Sequence, residues 1–155
     1  MRLLALILPA LLLAVPRPAL AEECGSLVGK LASAARAEIG RQSGDFAEFK
    51  AGDGTTLTLS CGGRDPSAVG AQYRGGSPPD GYYATFGRAG EAVTGIAADL
   101  LRDAARRARA DAIRLRHSNV PAAGALVTCS VTNRETGAEK GELTMCAVIE
   151  QGERS

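Results

Sequence analysis

The chain has 155 residues, with 18 Lys plus Arg against 17 Asp plus Glu, one histidine and four cysteines. So even a balance gives no electrostatic footprint for nucleic acid or for an anionic membrane surface, and neither is expected as a partner. The length suits one domain with a hydrophobic core of its own.

The first residues, MRLLALILPALLLAVPRPALA, follow the three-part pattern of a secretory leader. Arg2 supplies the positive start, Leu3 to Val15 an apolar run broken only by Pro9, and Ala19-Leu20-Ala21 the small residues at the cleavage positions. The run is shorter than the roughly 20 apolar residues that a spanning helix needs. Residues 1–21 therefore read as a signal peptide, and residues 22–155 as a single small α+β domain without a stable membrane anchor. Loss of Arg2 and Arg17 leaves 16 basic against 17 acidic side chains. A periplasmic or secreted location is expected, and the abundance of Arg, Ala and Gly suits a bacterium with a GC-rich genome. Cys24, Cys61, Cys129 and Cys146 all lie beyond the leader. An even number of cysteines in an oxidising compartment reads as two disulfides.

Residues 23–39 place Cys24, Leu27, Val28, Leu31, Ala35 and Ile39 on one helical face, with Gly40 available as a left-handed cap. Residues 46–61 read as a hairpin. A three-residue loop, Gly52-Asp53-Gly54, pairs Phe49 with Leu57 and Ala47 with Leu59, which gathers the apolar residues on one face. Gly54 would take the left-handed position. Residues 62–81 are rich in Gly and Pro and read as irregular, and GYYATF at 81–86 as a short strand.

A long helix is expected from Glu91 or Thr94 to about Arg116, with an apolar face that includes Val93, Ala97, Leu100, Leu101, Ala104, Ala108, Ala112 and Leu115. The opposite face carries Asp99, Arg102, Asp103, Arg106, Arg107, Arg109 and Arg114, with acids spaced to neutralise the arginines. A turn-like link at 117–124 leads to two strands, ALVTCSVTN and ELTMCAVIE. Two registers compete for this last hairpin. One sets Cys129 opposite Cys146 and Val127 opposite Val148. The other, with a Glu135-Thr136-Gly137 loop, pairs Val127 with Met145 and puts the cysteines on opposite faces. The pairing Cys24–Cys61 with Cys129–Cys146 is preferred among the three that four cysteines allow. The elements sum to an α+β fold: an antiparallel sheet of about four to five strands in two hairpins, with two helices packed on one face and disulfides holding it.

Chemistry-bearing motifs are sparse. There is no CxxC, and no Lys or His adjoins a cysteine in sequence, so a redox thiolate is not indicated. Cysteine spacings of 37, 68 and 17 with a lone His117 give no metal pattern, and no cofactor is expected. FGRAGEAVTG has the spacing GxxGxxxxG, neither a dinucleotide fingerprint nor a phosphate loop. His117 is placed at the end of the long helix, a surface position. Residues 72–88 hold four of the six aromatics, Tyr73, Tyr82, Tyr83 and Phe86, interleaved with Arg74, Asp80 and Arg88. These seven are the candidate contact surface, although a chain so poor in aromatics also needs the rings for its core. The leading expectation is a non-catalytic domain that contacts an unidentified protein or small ligand. The alternative is a small hydrolase built from dispersed acids or from His117. A deep cleft holding two converging acids, or His117 beside a hydroxyl, would favour the hydrolase.

Overall fold

The computed structural model describes residues 19–62, 66–134 and 140–150. The expected leader lies outside them except for its last three residues, 19–21, which open the first helix. Helix α1 (Ala19–Ala35) is followed by strands β1 (Ala37–Ser43), β2 (Phe46–Ala51), β3 (Thr56–Ser60) and β4 (Ala68–Arg74). Helices α2 (Asp80–Thr94) and α3 (Ala98–Leu115) come next, then β5 (His117–Ala122), β6 (Ala125–Arg134) and β7 (Gly141–Glu150). The strands form one antiparallel sheet in the order β1-β2-β3-β4-β7-β6-β5. The last strand thus returns to the middle and joins the four-strand meander to the C-terminal strands.

The α+β class and the disulfides agree with the sequence, but the sheet has seven strands rather than four or five, and the helices number three among the described residues. One added strand is β1. Its sequence, AEIGRQS, is mostly exposed and carries no apolar alternation, so no pattern announced it. It takes Ile39 out of the expected helix. Arg36 adopts a left-handed φ of 53°, and α1 ends at Ala35 rather than at Gly40. Another is β5, where a turn-like link was expected, and a third is β4, within the segment read as irregular. Its Val69 and Ala71 are buried, while Gly70 between them breaks the strand signal. GYYATF is not a strand. It lies in α2, which begins after Pro79 and ends at Gly95, in the left-handed conformation at φ 73° with its N–H on Glu91 O at 2.8 Å. The expected long helix is therefore two, with Val93 in α2 and Ala97 between them.

All three helices cover one face of the sheet. Ala47, Phe49, Leu57, Leu59, Val69, Val127 and Val148 point into that core and are buried. Helix α1 adds Cys24, Val28, Leu31 and Ala35, as its spacing predicted. Helix α3 adds Leu101, Ala104, Ala105, Ala108 and Ala112, whereas Leu100 and Leu115, expected on the same face, are exposed. Two glycines let α2 and α3 approach. A Cβ on Gly87 would strike the Ala98 carbonyl oxygen, and one on Gly90 would lie 2.6 Å from Leu101 Cδ1. The glycines of FGRAGEAVTG are thus a helix contact (Gly87, Gly90) and a cap (Gly95).

Phe49 pairs with Leu57 and Ala47 with Leu59, and Gly54 has φ 82°, so the three-residue loop is as expected. Cys129 faces Cys146 and Val127 faces Val148, which discards the competing register. The loop residues on which that register turned, 135–139, lie outside the described residues. The bridges are Cys24–Cys61 and Cys129–Cys146. The first ties α1 to the end of β3, and the second crosses β6 and β7 beneath α3. Among the described residues no helix is long and apolar enough to cross a membrane.

Candidate functional site

Of the seven residues proposed as a contact surface, Asp80, Tyr82, Tyr83, Phe86 and Arg88 belong to α2, and Tyr73 packs against it. Tyr82 and Phe86 are fully buried, and Tyr83 is nearly so. The Tyr82 hydroxyl donates to Ala71 O at 3.0 Å, and its ring meets Tyr73 and Tyr83 edge to face at 6.1 and 5.1 Å. Burial pushes both the Tyr82 and Tyr83 hydroxyls up from the ordinary tyrosine range; at Tyr83 the nearby Arg109 and Arg106 oppose the shift. Tyr73 is half-buried in β4. Asp80 binds Arg106 at 2.9 Å, and Arg106 lies 4.8 Å over the Tyr83 ring. Arg88 donates to Ala34 O and to Thr85, which stitches α2 to α1. Arg74, at the end of β4, and Asp80, at the start of α2, are the exposed members of the set. The rings of Tyr82, Tyr83 and Phe86 went inward because α2 needed a bulky face against the sheet and few aromatics were available.

Two polar clusters lie under the helices. Arg109, expected on the solvent face of its helix, is buried. It donates to Glu142 Oε1 at 2.8 Å and to Thr144 Oγ1 at 3.3 Å on β7. Asp53, in the β2–β3 loop, accepts from Thr55 N and from the Thr85 hydroxyl, both at 2.9 Å. Burial disfavours the Asp53 charge, but the bonds from Thr55 and Thr85 outweigh it and hold the carboxyl below the usual 3.8. Each acid is engaged by partners that fix it in place, which is a structural arrangement. Among the described residues no group of three or more His, Cys, Asp or Glu is placed to hold a metal ion.

Among the described residues no helix lies on the other face of the sheet, which is hollowed into a trough of about 310 Å³. Strand pairing explains its shape. The central rung sets Thr58 beside Gly70, Gly70 beside Ala147 and Ala147 beside Thr128, a floor of short side chains. The rung on one side carries Phe46, Ala68 and Ile149, and the rung on the other carries Gln72 and Met145. Met145 and Ile149 are 41% and 43% exposed, large apolar side chains standing as walls on either side of Ala147. Gly70 is part of the shape, because a Cβ there would come within 2.6 Å of Thr58 Oγ1.

His117 closes the β5 end of the trough. It is the first residue of β5 and not the tail of a helix, because Arg116 takes a left-handed φ of 66° and stops α3. His117 pairs with Ser130, and its Nε2 lies 3.3 Å from Thr128 Oγ1. It is the only ionisable side chain among the described lining residues. The sequence offered a faint trace of this site. GELTMCAVIE alternates the exposed Met145 and Ile149 and the half-buried Ala147 with the buried Thr144, Cys146 and Val148.

Compared with known proteins, the chain matches no family model, no curated protein and no solved structure at a significant level.

Proposed function

We propose that the chain is a non-catalytic exported domain that binds a small ligand in the trough on the uncovered face of its sheet. The single observation carrying this reading is a preformed apolar hollow whose floor, Gly70 and Ala147, is kept low between taller side chains. Its volume falls at the lower end of the roughly 300–1,000 Å³ common for small-molecule sites, and such sites are mostly apolar with a few placed polar groups. Export to an oxidising compartment, periplasmic or extracellular, is supported by the leader pattern and by two closed disulfides. The contact site moves accordingly from the tyrosine-rich segment to the trough.

The second reading, a hydrolase, draws on the pairing of His117 with a hydroxyl, here Thr128 rather than the adjacent Ser118. Against it, backbone N–H groups in mid-sheet are spent on the ladder and lie in its plane. They give no oxyanion donors above the face. No acid lines the trough among the described residues.

The test uses Ala147→Phe, which fills the floor. Wild-type protein isolated from its own host and examined by native mass spectrometry is expected to carry a small-molecule adduct that Ala147→Phe lacks. Adduct-free spectra for both would count against binding. Hydrolysis of a simple aryl ester is expected at the same background rate in wild type, His117→Gln and Thr128→Val; loss of turnover in both variants would favour the hydrolase.

A further inference from the structure

We propose that the trough takes a small amphiphilic carboxylic acid, with its apolar tail over Gly70 and Ala147 and its carboxylate at His117. This rests on the reading of the trough as a binding site and adds the chemical class of the ligand.

Size sets the first limit. At about 30 Å³ per water-sized group, the trough holds on the order of ten non-hydrogen atoms. Shape sets the second. The floor is a straight rung across the strands, walled by Met145 and Ile149, and it suits a narrow apolar chain. Charge sets the third. Among the described lining residues His117 is the one side chain able to carry a charge, that charge is positive, and it lies at one end. The Thr128 hydroxyl is 3.3 Å from its Nε2, and Ser130 stands directly opposite it in the ladder. A cation flanked by two hydroxyls offers charge-assisted hydrogen bonds to a carboxylate and nothing comparable to a neutral or cationic head. Glu48, the acid in the central rung, is on β2 at the far side of the sheet and pairs there with Arg41 at 3.4 Å. It does not face the proposed head site.

Methyl NMR titration of the full mature chain at about pH 6 tests this. The probes are octanoate, 1-octanol and octylammonium. Octanoate is expected to shift the methyls of Met145, Ala147, Ile149 and Thr128 and to bind about fivefold more tightly than octanol, in keeping with a partly exposed charge pair. Octylammonium is expected to bind most weakly. His117→Gln, at an exposed position, should bring octanoate to the level of octanol. Equal binding of octanoate and octanol, or a preference that survives His117→Gln, would overturn the carboxylate assignment and leave the trough reading intact. If none of the three probes shifts those methyls, both fall together.

Discussion

Gly70 faces Thr58 across β3 and β4 so closely that a Cβ on the glycine would sit 2.6 Å from the threonine hydroxyl oxygen. The neighbour is the end of a side chain, so it can rotate away. In Gly70→Ala the loss of a flexible glycine from a strand, about 0.5–1 kcal/mol in favour of folding, should offset the cost of turning Thr58. Urea unfolding is expected to give a net change within about 1 kcal/mol. Removing the hydroxyl and methyl as well, in Thr58→Ala with Gly70→Ala, should raise stability above that of Gly70→Ala alone. If Thr58→Ala is equally costly in both backgrounds, the two positions do not compete for space.

The glycines between the helices should behave differently. At Gly87 the obstacle is the Ala98 carbonyl, a backbone atom that cannot move without shifting α3. At Gly90 it is the flexible end of Leu101, with Val148 Cγ1 at 3.3 Å behind it. Overpacking of this sort costs about 1–3 kcal/mol. Gly87→Ala is expected at the upper end of that range and Gly90→Ala lower, compared by thermal unfolding. The reverse ranking would mean that the α2–α3 crossing is set elsewhere.

The Arg109–Glu142 pair is held with little solvent, its side chains 10% and 31% exposed. Glu142→Gln leaves a buried guanidinium without its counter-charge and should cost about 1–3 kcal/mol. Arg109→Met replaces the cation with an apolar chain of similar length, so once it is made no buried charge is left for Glu142→Gln to strand, and that second change should cost little. The double variant should then be distinctly less destabilised than the two single changes added together. Additive costs in a double-mutant cycle would show that the pair contributes nothing beyond its separate contacts.

Asp53 predicts a pH dependence. Its carboxyl binds a proton less readily in the folded chain than the ordinary value of 3.8 implies. The stability it contributes is therefore present in full above that value and is lost as the pH falls through the lower, folded value. Asp53→Asn should lower stability at neutral pH, and its deficit relative to wild type should shrink as acid is added below about pH 4. A deficit that stays constant down to acid unfolding would mean that the Asp53 charge does not matter to the Thr55 and Thr85 bonds.

Where local pattern and tertiary burial agreed, the sequence was readable. Phe49–Leu57 could be paired because both neighbours and the loop length pointed to one register. The Cys129–Cys146 hairpin was harder, since an alternative register gathered the apolar residues better. The bridge decided between them. Strand β1 escaped notice because an edge strand with Glu38, Gly40 and Arg41 needs no apolar face; its charges and its irregularity between Ile39 and Gln42 are what keep an edge from pairing with strangers. Tyr82, Tyr83 and Phe86 looked like a strand because aromatic residues favour strands, and tertiary packing overrode that preference. The trough left only a trace on β7, for a different reason. Its floor joins Gly70 to Ala147, residues 77 positions apart, and nothing local says that β4 and β7 are neighbours.

That seam has a consequence for when the protein becomes competent. Strand β4 supplies one side of the floor early in the chain, and β7 supplies the other from nearly its end. During synthesis the meander can be complete while the hollow does not yet exist, for half its floor is still unmade. On the proposed reading of the trough, a ligand present as the protein folds would favour chains that include β7 over those that stop short of it.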